Sequence, residues 1–299
     1  MSNKKNIDNI LDIISGEAHI LIRDAIELER LQTAGANISE QFATASYRRF
    51  TQKILAKITN FVAAYKIKLP SSVVCSYNGL SQNIALKNII DTTEFDTIGN
   101  SEVGIFMISP LDGMINFTRS IPIYCTGIAI FINKDDKIEP NQAIVYDVPN
   151  NKFYTATVGF GAFLNSAKLM SSTRSKIYTS SISVSGLESF IKEDPKNPET
   201  AKIAAKIKNI TISVANHLSG IPSQLAACYL AAGKLDIVIE ANLIDATTFI
   251  AGAIIAKEAG CFILNKNGDE VAINDIHLHK IIIITNRSVS DDIIKFLKS

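Results

Sequence analysis

The sequence predicts a mixed α and β protein with two dissimilar halves. Three observations support this: helical apolar spacing in the first third, short β-branched runs through the middle, and helix–strand alternation in the remainder. An N-terminal α+β half over 1–165 is expected to join a C-terminal α/β half over 166–299 in one compact unit.

Ile7, Ile10, Leu11, Ile14, Ala18, Leu21, Ile22, Ala25, Leu28 and Leu31 recur at helical spacing, so the first helix should bury that stripe. Gly35 to Ser39 interrupts the pattern. A second helix is expected from about Thr44–Ser46 to Tyr65, burying Phe50, Ile54, Ile58, Phe61 and Val62, with Pro70 beyond its end. Strands are predicted at Val103–Ile108, Tyr124–Ile132, Gln142–Tyr146 and Phe153–Val158. Lys134-Asp135-Asp136-Lys137 and Pro149-Asn150-Asn151-Lys152 would be the turns of an antiparallel meander.

After Ser171 the chain alternates. The predicted order is strand Ile177–Val184, helices Leu187–Ile191 and Glu199–Ile207, strand Ile210–Val214, helix Ser223–Ala232 and strand Ile237–Ile239. Helix Ala246–Ala259, strands Gly260–Leu264 and Lys280–Thr285, and helix Ser290–Leu297 complete it.

With 47% hydrophobic and 20% charged residues, a globular core is expected rather than disorder. A net charge of +1 provides no general attraction to nucleic acid or membranes. Apolar runs such as Gly127 to Ile132 fall well short of the ~20 residues that cross a bilayer. The N-terminal Met-Ser-Asn-Lys-Lys-Asn-Ile-Asp-Asn lacks the apolar stretch of a secretion signal. Cys75, Cys125, Cys228 and Cys261 are scattered without ligand spacing, which suits reduced, buried thiols in a cytoplasmic protein. His19, His217, His277 and His279 show no catalytic spacing, although His277-x-His279 could hold a metal adventitiously. Arg48-Arg49 and the lysines from Lys192 to Lys208 read as solvated faces.

Chemistry concentrates in two segments. In Ile108-Ser109-Pro110-Leu111-Asp112-Gly113, Pro110 fixes one φ and Gly113 permits an unusual one, so Asp112 should stand at a strand's end beside the amides of a helical turn over Gly113–Asn116. Such a place suits a phosphate and a cation, and it equally suits an ordinary Asp-Gly turn. In Leu243-Ile244-Asp245-Ala246-Thr247, Asp245 precedes a helix and reads as either an N-cap or a cation ligand.

Taken together the segments resemble the inositol monophosphatase family. Residues 108–117, Ile-Ser-Pro-Leu-Asp-Gly-Met-Ile-Asn-Phe, follow its Asp-Pro-Ile/Leu-Asp-Gly-Thr-x-Asn-Phe signature. Ile244-Asp245-Ala246-Thr247-Thr248, a helix, and Glu258-Ala259-Gly260-Cys261 follow its Trp-Asp-x-Ala-Ala and Glu-Ala-Gly-Gly. Ala143 to Pro149, Gly159-Phe160-Gly161-Ala162-Phe163-Leu164-Asn165, Leu225 to Gly233 and Thr285-Asn286 extend the similarity along the chain.

The resemblance implies an α+β, layered αβαβα sandwich shared with fructose-1,6-bisphosphatase. It also implies Mg²⁺-dependent hydrolysis of a sugar or inositol phosphate monoester and a homodimer. Its metal residues would be Asp112, the Leu111 carbonyl and Asp245, with Glu94 as a weaker substitute and Glu102 as another nearby carboxylate. Gly113, Met114 and Glu240 would face substrate phosphate or hydroxyls.

Several positions depart from the family pattern. Ser109 stands where the signature has its first aspartate, Met114 replaces the threonine, and Tyr47 falls at an earlier aspartate. No Gly-Glu-Glu precedes the signature, and the substrate-contacting Gly-Ser falls near Ile221-Pro222. The expectation is therefore a weak or inactive phosphomonoesterase with a weakened Mg²⁺ site and no confident catalytic residue. The alternative is a non-catalytic regulatory protein like the family's bacterial extragenic-suppressor branch, whose members associate with the transcription antitermination machinery.

Overall fold

Strand residues that alternate between two buried faces build this molecule from layers. The computed structural model describes residues 3–33, 39–64, 73–75, 104–134, 137–243 and 245–298. Its first part comprises α1 (Asn3–Thr33), α2 (Ser39–Ala64), β1 (Val73–Cys75), β2 (Gly104–Asp112), α3 (Met114–Thr118), β3 (Cys125–Lys134), β4 (Lys137–Asp147), β5 (Lys152–Thr157), β6 (Gly161–Leu164) and β7 (Ala167–Lys168). The second comprises β8 (Ser181–Ser185), α4 (Leu187–Glu193), α5 (Pro198–Ser213), β9 (Asn216–Leu218), α6 (Ser223–Ala231), β10 (Ile237–Glu240), α7 (Ile250–Glu258), β11 (Phe262–Asn265), β12 (Ile282–Thr285) and α8 (Ser290–Lys298).

Strands β1 to β7 form one sheet in chain order, antiparallel throughout except for β1, which runs parallel to β2. The other sheet has the order β11-β12-β10-β8-β9. Period-2 alternation distributes each strand between two cores. In β2, Phe106 and Ile108 pack with α1 and α2, whereas Met107 faces the opposite side with Leu225, Ala226, Ile250 and Ile254 of α6 and α7. In β12, Ile282 and Ile284 join that central core, while Ile283 turns to the outer one with Ile207 of α5 and Ile293 of α8. The layers thus run α1/α2, first sheet, α6/α7, second sheet, and α4/α5/α8: the expected αβαβα sandwich. Lying between two sheets, α6 and α7 are mostly apolar, with polar residues at the start of α6 and the end of α7.

Polar ties fix the layers. Asp24 of α1 is 2% exposed and accepts from Arg49 Nη2 of α2 at 2.6 Å. Burial opposes its ionisation, but the nearby Ser46 hydroxyl and the Arg49 and Arg23 guanidiniums outweigh that and hold the carboxyl below its ordinary pKa. Glu258 at the end of α7 accepts from Gly159 N and Gly161 N, each at 3.0 Å, and clamps the β5–β6 turn. Buried Asp236 accepts from Ser181 N at 2.9 Å and Asn286 Nδ2 at 3.0 Å, while Asn286 Oδ1 accepts from the Ser288 and Val289 amides in the turn before α8.

Several predicted boundaries shift. The strand expected at Ile210–Val214 is instead the last turn of α5, because Ile207 and Ile210 form a buried helical stripe; the local strand is β9. Residues Ile177–Thr179 form a 3₁₀ turn before β8. The helix expected from Ala246 starts with a 3₁₀ turn, Ala246–Thr248, before α7. Helix α2 starts at Ser39, and β2 continues through the signature to Asp112.

Candidate functional site

A bulge positions the signature. Ser109 pairs with Gly127 and Asp112 with Cys125, so β2 advances three residues where β3 advances two. Strict alternation would send residues 109 and 112 to opposite faces. The extra residue places both on the central face, toward α6. Pro110 lies within the bulge, where the ladder needs no N–H from it, and Thr126 Oγ1 donates to its carbonyl at 2.7 Å. Gly113 then leaves the strand at φ 97 as the N-cap of α3. A Cβ there would stand 2.7 Å from Pro222 Cγ and 2.9 Å from the Ile123 carbonyl, so the position excludes larger residues twice over.

Asp112 Oδ2 accepts from Gln224 N at 3.1 Å. Pro222 precedes α6 and cannot cap it with a side chain, so Asp112 acts as the helix's acceptor from a distant strand. Burial pushes its carboxyl up to about 7; the Glu240 charge adds to the rise, and the Gln224 and Gly113 amides oppose it. Glu240 ends β10, is 7% exposed, and accepts from Ser223 Oγ, the residue before Gln224. Burial raises its pKa as well, against the Ser223 hydroxyl and the Asn242 amide. Asp245 Oδ1 accepts from Thr247 N at 2.9 Å and Thr247 Oγ1 at 2.7 Å, which realises the N-cap reading. Gln224 Nε2 lies 3.5 Å from the Thr247 carbonyl. Asp112, Glu240 and Asp245 are therefore linked, each through one or two residues, to the start of α6.

The positions that depart from the family pattern hold packing side chains. Tyr47 is 2% exposed in the core between α1/α2 and the first sheet. Met114 packs against that core, and Leu111 is buried within it. Ser109 is 1% exposed. Glu94 and Glu102 lie outside the described residues. Among the described residues no three His, Cys, Asp or Glu side chains converge as metal ligands, and His277-x-His279 makes no such cluster. Cys125, Cys228 and Cys261 are free and buried. A separate cavity of about 390 Å³ is lined by Glu193, Glu199, Lys266 and Lys280, but its lysines are already engaged, Lys280 with Glu193 at 2.7 Å and Lys266 with Glu199 at 3.2 Å.

The layered αβαβα sandwich is the fold that the sequence resemblance implies. Residues 16–296 match the sequence profile of the inositol monophosphatase family. The chain belongs to the inositol monophosphatase family. It is 29% identical over 231 residues to a fructose-1,6-bisphosphatase/inositol-1-monophosphatase of Methanocaldococcus jannaschii, covering 74% of this chain and 83% of that one. It is 30% identical over 181 residues to the Nus factor SuhB of Buchnera aphidicola, covering 57% and 60%. The solved extragenic suppressor protein suhB of Bartonella henselae shares the fold, with TM-score 0.70 and 21% identity over 99% of this chain and 100% of that one.

The donor set described does not fit a multi-cation centre. Of the carboxylates, Asp112 caps α6 and Asp245 caps its own turn. A cluster of hard cations needs several carboxylates, and Ser109 offers only a buried hydroxyl. Sequence reading missed Ser223, Gln224 and Thr247. Ser223 and Gln224 reach Glu240 and Asp112 only through tertiary folding, with Gln224 and Asp112 separated by 112 positions, whereas Thr247 bonds Asp245 from two positions away.

Proposed function

We propose that this chain retains the family fold for binding and has lost efficient Mg²⁺-dependent phosphomonoester hydrolysis. The observation that carries this reading is the fate of the key positions: Ser109, Met114 and Tyr47 are occupied by non-carboxylate packing residues, while Asp112 and Asp245 serve as caps. Without side chains to position water and neutralise phosphate, transition-state stabilisation falls by several kcal/mol, or several orders of magnitude in rate.

The role left to such a molecule is recognition, of a small phosphorylated polyol or sugar or of a protein. Relatives described as Nus factors support a regulatory role among transcription factors. Phe160 and Met170, 74% and 76% exposed, would suit self-association as a homodimer. No helix among the described residues is long and apolar enough to cross a membrane, in keeping with a cytoplasmic protein.

Phosphate release from inositol 1-phosphate and a panel of sugar phosphates, with and without Mg²⁺, tests the proposal. The expected result is no Mg²⁺-dependent turnover approaching ~1 per second, the low end of ordinary enzymes. A faster Mg²⁺-dependent rate that disappears in Asp112→Asn would overturn it.

A further inference from the structure

We propose that the carboxamide of Gln224 is what closes the cation centre in this chain: it occupies the space over Gly127 and beside Ser109, so that an aspartate at 109 alone would not restore ion binding. This rests on reading residues 109, 112 and 245 as the remains of such a centre.

The geometry comes from one strand pair and two glycines. Ser109 and Gly127 are direct partners across β2 and β3, so their Cβ directions share a face and lie roughly 5 Å apart. A Cβ on Gly127 would fall 2.0 Å from Gln224 Oε1 and 2.3 Å from Nε2. The amide therefore rests directly on the strand backbone, next to the Ser109 side chain. Behind it, a Cβ on Gly252 of α7 would fall 2.6 Å from the Gln224 carbonyl oxygen and 2.9 Å from its Cα. Residue 224 is thus wedged between two glycines, and its backbone cannot retreat toward α7.

Gln224 fills this space by shape more than by bonding. The residue is fully buried; among the described residues its Oε1 has no hydrogen-bond partner, and Nε2 has only the 3.5 Å approach to the Thr247 carbonyl. An aspartate at 109 would direct its carboxylate into this amide, on the same face as Asp112. On this geometry an aspartate at 109 and a trimmed side chain at 224 are needed together. Trimming 224 leaves the cap intact, because Asp112 accepts from the backbone N–H of that residue.

The test compares the wild type, S109D, Q224A, S109D/Q224A and S109D/Q224S for Mn²⁺ binding by electron paramagnetic resonance, with circular dichroism to confirm folding. Wild type, S109D and Q224A should bind weakly and alike. At least one double variant should bind Mn²⁺ roughly tenfold more tightly or better, within the range by which ligand surroundings tune metal affinity. S109D binding as tightly as the doubles would overturn the proposal, and so would folded doubles that gain nothing. Unfolding of both doubles while S109D folds would also overturn it, since Gln224 would then be a support and not an obstruction. Strong Mn²⁺ binding by the wild type would instead defeat the underlying reading of a degenerate centre.

Discussion

Asp112 combines a structural contact with an unfavourable burial. Its Oδ2 caps α6, yet its carboxyl is pushed up to about 7 by burial, from an ordinary value of 3.8. A carboxyl with a raised folded pKa keeps its proton where the unfolded chain has lost its own. The stability this provides is complete below about 3.8 and disappears as pH rises toward about 7. Thermal melts of the wild type in chelator should therefore show a falling Tm across that window. Asp112→Asn, which keeps an acceptor oxygen without the charge, should flatten that fall; equal slopes for the two proteins would contradict the assignment. Gly113→Ala should destabilise by about 1–3 kcal/mol in urea unfolding, because φ 97 strains any side chain and Pro222 blocks the Cβ.

Among the elements, the 3₁₀ turn at Ala246–Thr248 is capped by Asp245. Asp245→Ala should cost about 1 kcal/mol in urea unfolding, as for a lost N-cap, and leave phosphate release at its low level. The β5–β6 turn depends on Glu258 in the same way, and Glu258→Ala should cost about 1 kcal/mol by the same measurement. Most elements were legible from local pattern: the helical stripe of α1, the short β-branched runs of β2 and β12, and the largely apolar runs of α6 and α7. The strand expected at Ile210–Val214 failed because its β-branched residues serve a helix stripe, so composition outweighed period in the reading. Asp112 and Asp245 were legible as special residues from their turns. Gln224 was not, because its importance comes from Gly127 and Gly252, which meet it only after the sheet and the two helices have packed.

For the molecule as a whole, the five layers are the fold shared with solved relatives, and the proposed change lies at their centre. The sandwich is tied by Asp24, Asp236 and Glu258 and filled by the three apolar cores. The most direct test of this account is to count the divalent ions held by the wild-type protein, by titrating Mn²⁺ into the chelator-treated chain and following free Mn²⁺. The account predicts no tight binding, with any ion weakly held and no gain in Tm with Mg²⁺. Two or more Mn²⁺ bound tightly per chain, as a working two-metal phosphatase requires, would contradict it.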